Sequence, residues 1–535
     1  MGPAGGFARA VVRRWAGVHH RAARSNTPMS RPRRSASIVA ALLGRGGDSA
    51  APHREDVVLA APATGADLHP GLATADEAMV TEERGRSSAP PAGPPPGPRR
   101  SARPWLSLRM RLGRDLFVTF TVGSVAFYVA RFWTVFAAGE LFHRLGFDWS
   151  LFYAQAMALR AGAGAGMYDQ SVIDSYLQPL LGYYGGPLTS LDGWPQPYPP
   201  WFAAVMVPFT LPPAPIGFAL WLAVSLAAAA LLAYRVKQFV PELGAVGSLT
   251  AVLAAIPVAW GLFMGQPVVL LAVAVGEMYV SLKAGKDLRA GLWLSTLLLK
   301  PQYALLFGLF ILWKRRWRAV AGAILGGLAF GLLGALTAGP ASFARFAGVI
   351  AEMSDLHNAI AGPTLMMNWR AIVLALRPTI GEQPGLAIVW TLSIATMLAG
   401  LAVFRGRWDP SAPAFAARFS VLSVGALIGS YHSHPHGAAL LVVPIAAAWA
   451  APTFQAATRV ALWAAAYVLT FIVIWITGVV QGLAVSPDSN VPLWTVWPNV
   501  LPALLFLIAF GLMWADVYPA NGNLFVGERS GAHRA

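Results

Sequence analysis

The chain has 535 residues, 56% of them hydrophobic and 12% charged, with a mean hydropathy of +0.55. Soluble domains carry about 25% charged residues, so this composition excludes an ordinary soluble enzyme and points to a polytopic membrane protein. The formal net charge is +16, and the absence of cysteine excludes a disulfide framework, a thiolate nucleophile and a cysteine-based metal site.

In chain order, residues 1–114 come first, with 18 Arg, no Lys and 8 acidic residues, a net +10. They are rich in Ala, Pro, Gly and Ser, include "PPAGPPPGPRR", and have no helical or strand periodicity. The segment reads as a disordered cytoplasmic tail obeying the positive-inside rule rather than as a nucleic-acid-binding arm. Met110, in "MRLGRDLF", is an alternative start that would leave residues 1–109 out. Residues 115–517 form the membrane domain, and 518–535 a short cytoplasmic tail.

A spanning helix needs about 20 apolar residues. The candidate segments are 116–138, 200–233, 244–262, 267–282, 290–299, 303–313, 319–338, 384–403, 417–429, 437–451, 460–480 and 494–515, about 12 in all. Assigning them alternately puts 13 basic residues, from Arg235 to Arg459, on short inner connections and six on the longer outer ones. That asymmetry predicts cytoplasmic N- and C-termini. Segments 290–299 and 303–313 have about 10 residues each, or about 15 Å of helix, and flank Lys300-Pro301-Gln302. A single span there would put "KRRWR" outside, so the sequence predicts a hairpin of half-helices. Segments 417–429 and 437–451 repeat the pattern around "SYHSHPHG". Larger outer connections, 139–199 and 339–383, complete the map.

The polar features gather on the outer side. Residues 149–160 have apolar positions at helical spacing and predict a helix lying flat in the interface, with Asp148 at its N-cap position. As a cap, Asp148 would accept backbone N–H bonds. As a partly desolvated carboxylate among Phe147, Trp149, Phe152 and Tyr153, it would suit a general base. Lys300 in an apolar surround is either a phosphate-binding charge or a lysine snorkelling to the interface. His432 and His434, in a segment with His436, have a spacing that suits an extended chain. They read as hydrogen-bonding groups for a phosphate or sugar, as structural residues, or, least of all, as metal ligands. No metal and no cofactor is expected.

The ordered motifs are "FDWSLFYAQAMALRAGAGAGMYD", "QPYPPWFAAVMVPF", "GQPVVLL", "GLWLSTLLLKPQYALL" with "WKRRWRA", and "YHSHPHGAALLVVP". Over residues 115–515 this series resembles glycosyltransferase family 87. That resemblance implies a polytopic GT-C fold and a polyprenyl-phosphate-mannose-dependent α-mannosyltransferase of the bacterial inner (plasma) membrane, building the cell envelope at the outer face. The implied partners are membrane lipids, a polyprenyl-phosphate-linked sugar donor and a lipid or glycan acceptor, with no nucleic acid. By resemblance Asp148 is the catalytic base. On the same implied chemistry, Lys300, His434, His432 and Arg370 are assigned to the donor phosphate. Gln266, Gln302, Asn368, His357 and Tyr153 are assigned to the sugar or acceptor. Relatives often carry Asp where this chain has Gly437. An arabinofuranosyltransferase and a flippase of a lipid-linked saccharide are the competing functions. The cysteine-free chain allows a direct topology test: single cysteines at Ser190 and Lys286 label from opposite sides of the membrane, and same-side labelling breaks the span map.

Overall fold

Proline and glycine cut an apolar chain into short helices, and the computed structural model is all-helical, with no strand among the described residues. These are residues 145–183, 197–358, 366–377, 379–450, 453–465 and 493–518. The α-helices are α1 (Phe147–Arg160), α2 (Gln170–Leu177), α3 (Pro200–Met206), α4 (Ala214–Phe239), α5 (Gly244–Ala254) and α6 (Ile256–Met264). They continue with α7 (Val268–Lys283), α8 (Asp287–Thr296), α9 (Ala304–Trp313), α10 (Trp317–Ala338), α11 (Ala341–Met353) and α12 (Trp369–Leu376). The last are α13 (Glu382–Ala402), α14 (Phe415–Gly429), α15 (Val442–Ala450), α16 (Ala456–Trp463) and α17 (Leu493–Val517). Among the described residues, α4, α10 and α13 are long and apolar enough to cross a membrane. The pair α5–α6 passes the same test but is bent by 66°. Segment 116–138 and most of 460–480 lie outside the described residues.

Two expected spans are broken where proline removes a backbone donor. Segment 200–233 splits into α3, a 3-10 turn Val207–Thr210 and α4, with Pro208, Pro212 and Pro213 at the break. Segment 244–262 bends ahead of Pro257, where Ala255 adopts extended backbone.

The first hairpin of half-helices is present. Arg316, beyond the end of α9, is ion-paired with Asp287 at the start of α8, so the two arms share a base. Lys300 lies between two 3-10 turns at the other end. Helix α10 runs alongside α8 in the same direction: Gly291 abuts Ala319 O, Gly322 abuts Leu288 O, and Gly326 abuts Ser295. The second hairpin pairs α14 with the stretch 435–450, joined by Ser420 Oγ donating to Pro444 O at 2.6 Å. Its base packs beside the first: the rings of Phe310 and Phe404 are 4.5 Å apart, those of Trp408 and Phe415 5.6 Å, and the Arg316 guanidinium lies 4.8 Å over Trp408. At this same end Glu277 of α7 binds Arg235 of α4 at 2.5 Å and Arg289 of α8 at 2.8 Å.

The expectation for α1 needs correction. It has no continuous wet face: Trp149, Phe152, Ala154 and Ala156 are buried, and so are Ser150 and Gln155 on other faces. The apolar spacing is real, but the polar side of the helix is covered by α2, α3 and the turn before α4. The close α8–α10 contact yields a stability test. Gly291→Ala drives a methyl into Ala319 O and lowers the apparent melting temperature of the purified protein, an overpacking cost of about 1–3 kcal/mol. Gly331→Ala on the same α10, where nothing lies within 4 Å of the added carbon, leaves it unchanged or higher.

Candidate active site

The site begins with a constraint on α1. Its N-cap is Gly146, in left-handed backbone (φ 83°), and no side chain caps it. Asp148 therefore sits in the first turn, two residues past the observed cap, and the cap reading is overturned. The helix starts earlier because Gly146 N donates to Phe263 O at 2.5 Å, which anchors the chain to the end of α6. The Asp148 carboxylate instead accepts a hydrogen bond from Gln266 Nε2, 118 residues away.

Gln266 reaches it because Gly265 makes the turn out of α6. Gly265 has φ 72°, and a Cβ there would lie 2.5 Å from Trp149 Cβ, so only glycine lets α1 approach this closely. Trp221 Nε1 donates to Gly265 O at 2.7 Å and holds the turn. Lys300 is set by Pro301: the residue before a proline is pushed out of helical backbone, and Lys300 has φ −143° and ψ 79°. The 3-10 turn Leu297–Leu299 that follows α8 stops there, and the lysine projects from the tip into protein.

Three side chains meet around that ammonium. Lys300 Nζ lies 3.3 Å from Gln266 Oε1, 3.3 Å from Tyr198 OH and 3.1 Å from His436 Nε2. Tyr198 OH in turn donates to Gln266 Oε1 at 2.6 Å. Lys300, Gln266, Tyr198 and His436 are each no more than 5% exposed. The amide orientation follows from the partners: a carboxylate only accepts and an ammonium only donates, so Nε2 faces Asp148 and Oε1 faces Lys300. The same logic makes His436 Nε2 an acceptor, which puts a proton on Nδ1 in a neutral ring. Nδ1 is buried with no protein partner among the described residues.

Asp148 keeps some surface open and is otherwise ringed by protein. Burial pushes its carboxyl above the ordinary carboxylate range, to about 6. The hydrogen bond from Gln266 and the Lys300 charge pull the other way and are outweighed.

The two hairpin tips touch. Gln302 Nε2 donates to His432 O at 3.4 Å, and Tyr303 OH lies 3.5 Å from Ser433 Oγ. Gly437 abuts the Tyr303 hydroxyl, so a carboxylate at this position would have to displace the tyrosine. Among the described residues no group of three histidine or acidic side chains could hold a metal ion.

The predicted residues are thus sorted by geometry. Asp148, Gln266 and Lys300 converge. His432 and His434 lie next to the cluster, ring against ring at 4.8 Å, but His436 is the imidazole that meets Lys300. Gln302 and Asn368 hold the histidine segment through its backbone: Asn368 Nδ2 donates to Ser430 O and Tyr431 O, both at 2.9 Å, and Asn368 also caps α12. Arg370 is fully buried, binds the carbonyls of Met353, Asp355 and Leu356, and lies 4.8 Å over Tyr431. Its donors serve the end of α11, not the cluster. His357 is exposed and pairs with Glu382 at 2.9 Å. Tyr153 packs on Trp149, with ring centroids 5.0 Å apart.

Tyr198 was missing from the sequence assignments, and His436 was weighed with His432 and His434 as a phosphate ligand without being the one chosen. Tyr198 lies in "QPYPPW", where proline on both sides is the one available signal that its position is rigidly held.

Gln266→Leu leaves a half-buried carboxylate and a buried ammonium each short of a partner. The unfolding free energy falls by about 1–3 kcal/mol. Combining Gln266→Leu with Lys300→Met costs less than the sum of the two, as read from melting of the purified variants; strict additivity would mean the groups do not interact.

No curated protein and no solved structure matches the chain. Residues 197–430, which include Tyr198, Gln266 and Lys300, match the family model of glycosyltransferase family 87, and with the apolar helices this match marks the protein as a membrane glycosyltransferase.

Proposed function

We propose that this protein is an inverting transferase that moves a sugar, mannose, from a polyprenyl-phosphate donor to a lipid-linked or glycan acceptor at the outer face of the bacterial inner membrane. One observation carries the reading: a single carboxylate, Asp148, is joined through Gln266 to a single buried ammonium, Lys300, at one end of the bundle. The chemistry requires little more. The acceptor oxygen attacks the anomeric carbon as the bond from that carbon to the phosphate oxygen breaks. The acceptor's proton goes to Asp148, and the electron pair leaves with polyprenyl phosphate. Lys300 offsets the charge that develops on the phosphate, and the Nδ1–H of His436 is a second donor for it. A phosphate leaves without a general acid, so the two-carboxylate arrangement of glycoside hydrolysis is not needed.

The raised carboxyl suits a base. At neutral pH most of Asp148 is ionised, yet it takes a proton more readily than an ordinary carboxylate. The Asp148, Gln266 and Lys300 cluster sits at one end and the Glu277 and Asp287 ion pairs at the other, with no described ion pair joining them along a path through the bundle, which favours a transferase over a flippase.

Membranes containing the protein are supplied with polyprenyl-phosphate mannose, the arabinofuranose analogue and a lipid-extract acceptor. The expected result is mannose transfer that Asp148→Asn lowers by about 10²- to 10⁴-fold. Activity falls as pH drops through about 6, because protonation removes the base. In Gln266→Leu the acid limb moves to higher pH, since a bond favouring the charged form is gone. Transfer of arabinose alone would replace the sugar, and a fully active Asp148→Asn would remove the base.

A further inference from the structure

At the end of the bundle opposite Lys300, where Arg316 meets Asp287, lies a cavity of about 690 Å³. It is lined by three cationic side chains, Lys314, Arg315 and Arg405, and three indoles, Trp313, Trp317 and Trp408. Lys314 Nζ donates to Gly406 O at 2.9 Å and lies 4.8 Å over Trp313. Asp287 is already taken by Arg316, and no carboxylate among the described residues forms an ion pair with Lys314, Arg315 or Arg405.

A second observation singles out Arg315. It is the one non-glycine residue with positive φ, 52°, among the described residues. It occupies the turn that ends α9, closed by Arg316 N donating to Ile311 O at 2.9 Å. The same closure follows α6 and α7, with Gln266 N on Gly261 O and Lys286 N on Ser281 O, both at 2.8 Å. There the chain uses Gly265 and Gly285, with φ of 72° and 68°. Glycine adopts this backbone freely and arginine does so at a cost, so the guanidinium is retained against a local preference. The helix dipole does not account for it, because Lys314 already provides a cation at the end of α9.

The apolar side of the cavity identifies the ligand. Leu312 lines it and ends an exposed row on α9, Leu305, Leu309 and Leu312, at 54%, 40% and 48% exposure. A free anion has no use for that row, whereas an acyl chain does. Indoles with cations at the end of apolar helices match headgroup depth. The geometry points to a site for an anionic membrane phospholipid. Arg315, Lys314 and Arg405 hold its phosphate, the indoles pack at the headgroup, and an acyl chain runs along Leu312, Leu309 and Leu305. This inference does not depend on the proposed reaction.

Native mass spectrometry of the detergent-purified full chain, titrated with dioctanoyl phosphatidylglycerol, tests it. Saturable binding is expected, with neither dioctanoyl phosphatidylcholine nor inorganic phosphate competing at equal concentration. Arg315→Gly weakens binding about fivefold and melts no lower than the parent, because glycine relieves the backbone. Arg318→Gln, outside the cavity, leaves binding unchanged. Unaltered binding in Arg315→Gly, equal loss in Arg318→Gln, equal affinity for phosphatidylcholine, or displacement by phosphate would each overturn the assignment.

Discussion

One amide organises the site. Gln266 donates to Asp148 and accepts from Tyr198 and Lys300, so a half-buried carboxylate and a buried ammonium are each satisfied through the same side chain. Either charge alone in an apolar surround is expensive, and the amide lets both persist without direct contact. Separation is what makes the pair useful. A direct ion pair would hold Asp148 as a weak base and occupy Lys300. A bridged pair leaves the carboxylate raised toward neutral pH and the ammonium able to exchange its neutral partners for a phosphate.

The rest of the described fold delivers these groups to one place. Two hairpins of half-helices share a base, fixed by Arg316–Asp287 and the aromatic rings around Trp408, and both end at the other side of the bundle. Their tips meet through Gln302, Tyr303 and Ser433. The turn at Gly265 brings Gln266 beside α1, and the segment around Asn368 and Arg370 ties the backbone of the histidine segment and the end of α11. Shortening the helices is therefore what creates the site, since a full span would carry Lys300 past the bundle.

Lys300 was legible in the sequence because a charge inside an apolar run is costly and calls for a reason; Asp148 was singled out by its aromatic neighbours and the family resemblance, and Gln266 was a weak signal at the start of a segment. The hairpins were legible for a related cause: their arms are too short to cross, and "KRRWR" fixes which end must return. Tyr198 was not legible, since a tyrosine near an apolar segment reads as an interfacial ring until Gln266 and Lys300 are placed beside it. The choice among His432, His434 and His436 depends on how Pro435 turns the chain, which spacing does not record. Arg370 looked like a phosphate ligand because its carbonyl partners come from a different segment. Asp148 looked like a cap because capping is judged locally, whereas Gly146 is pulled into the cap by Phe263, over a hundred residues away in sequence.

The central claim is that one carboxylate acts as a base on the acceptor and never as a nucleophile on the sugar. That claim fixes the stereochemistry. Nuclear magnetic resonance of the product formed from a donor of known anomeric configuration measures it directly. The account predicts inversion at the anomeric carbon; a product that keeps the donor's configuration would contradict it.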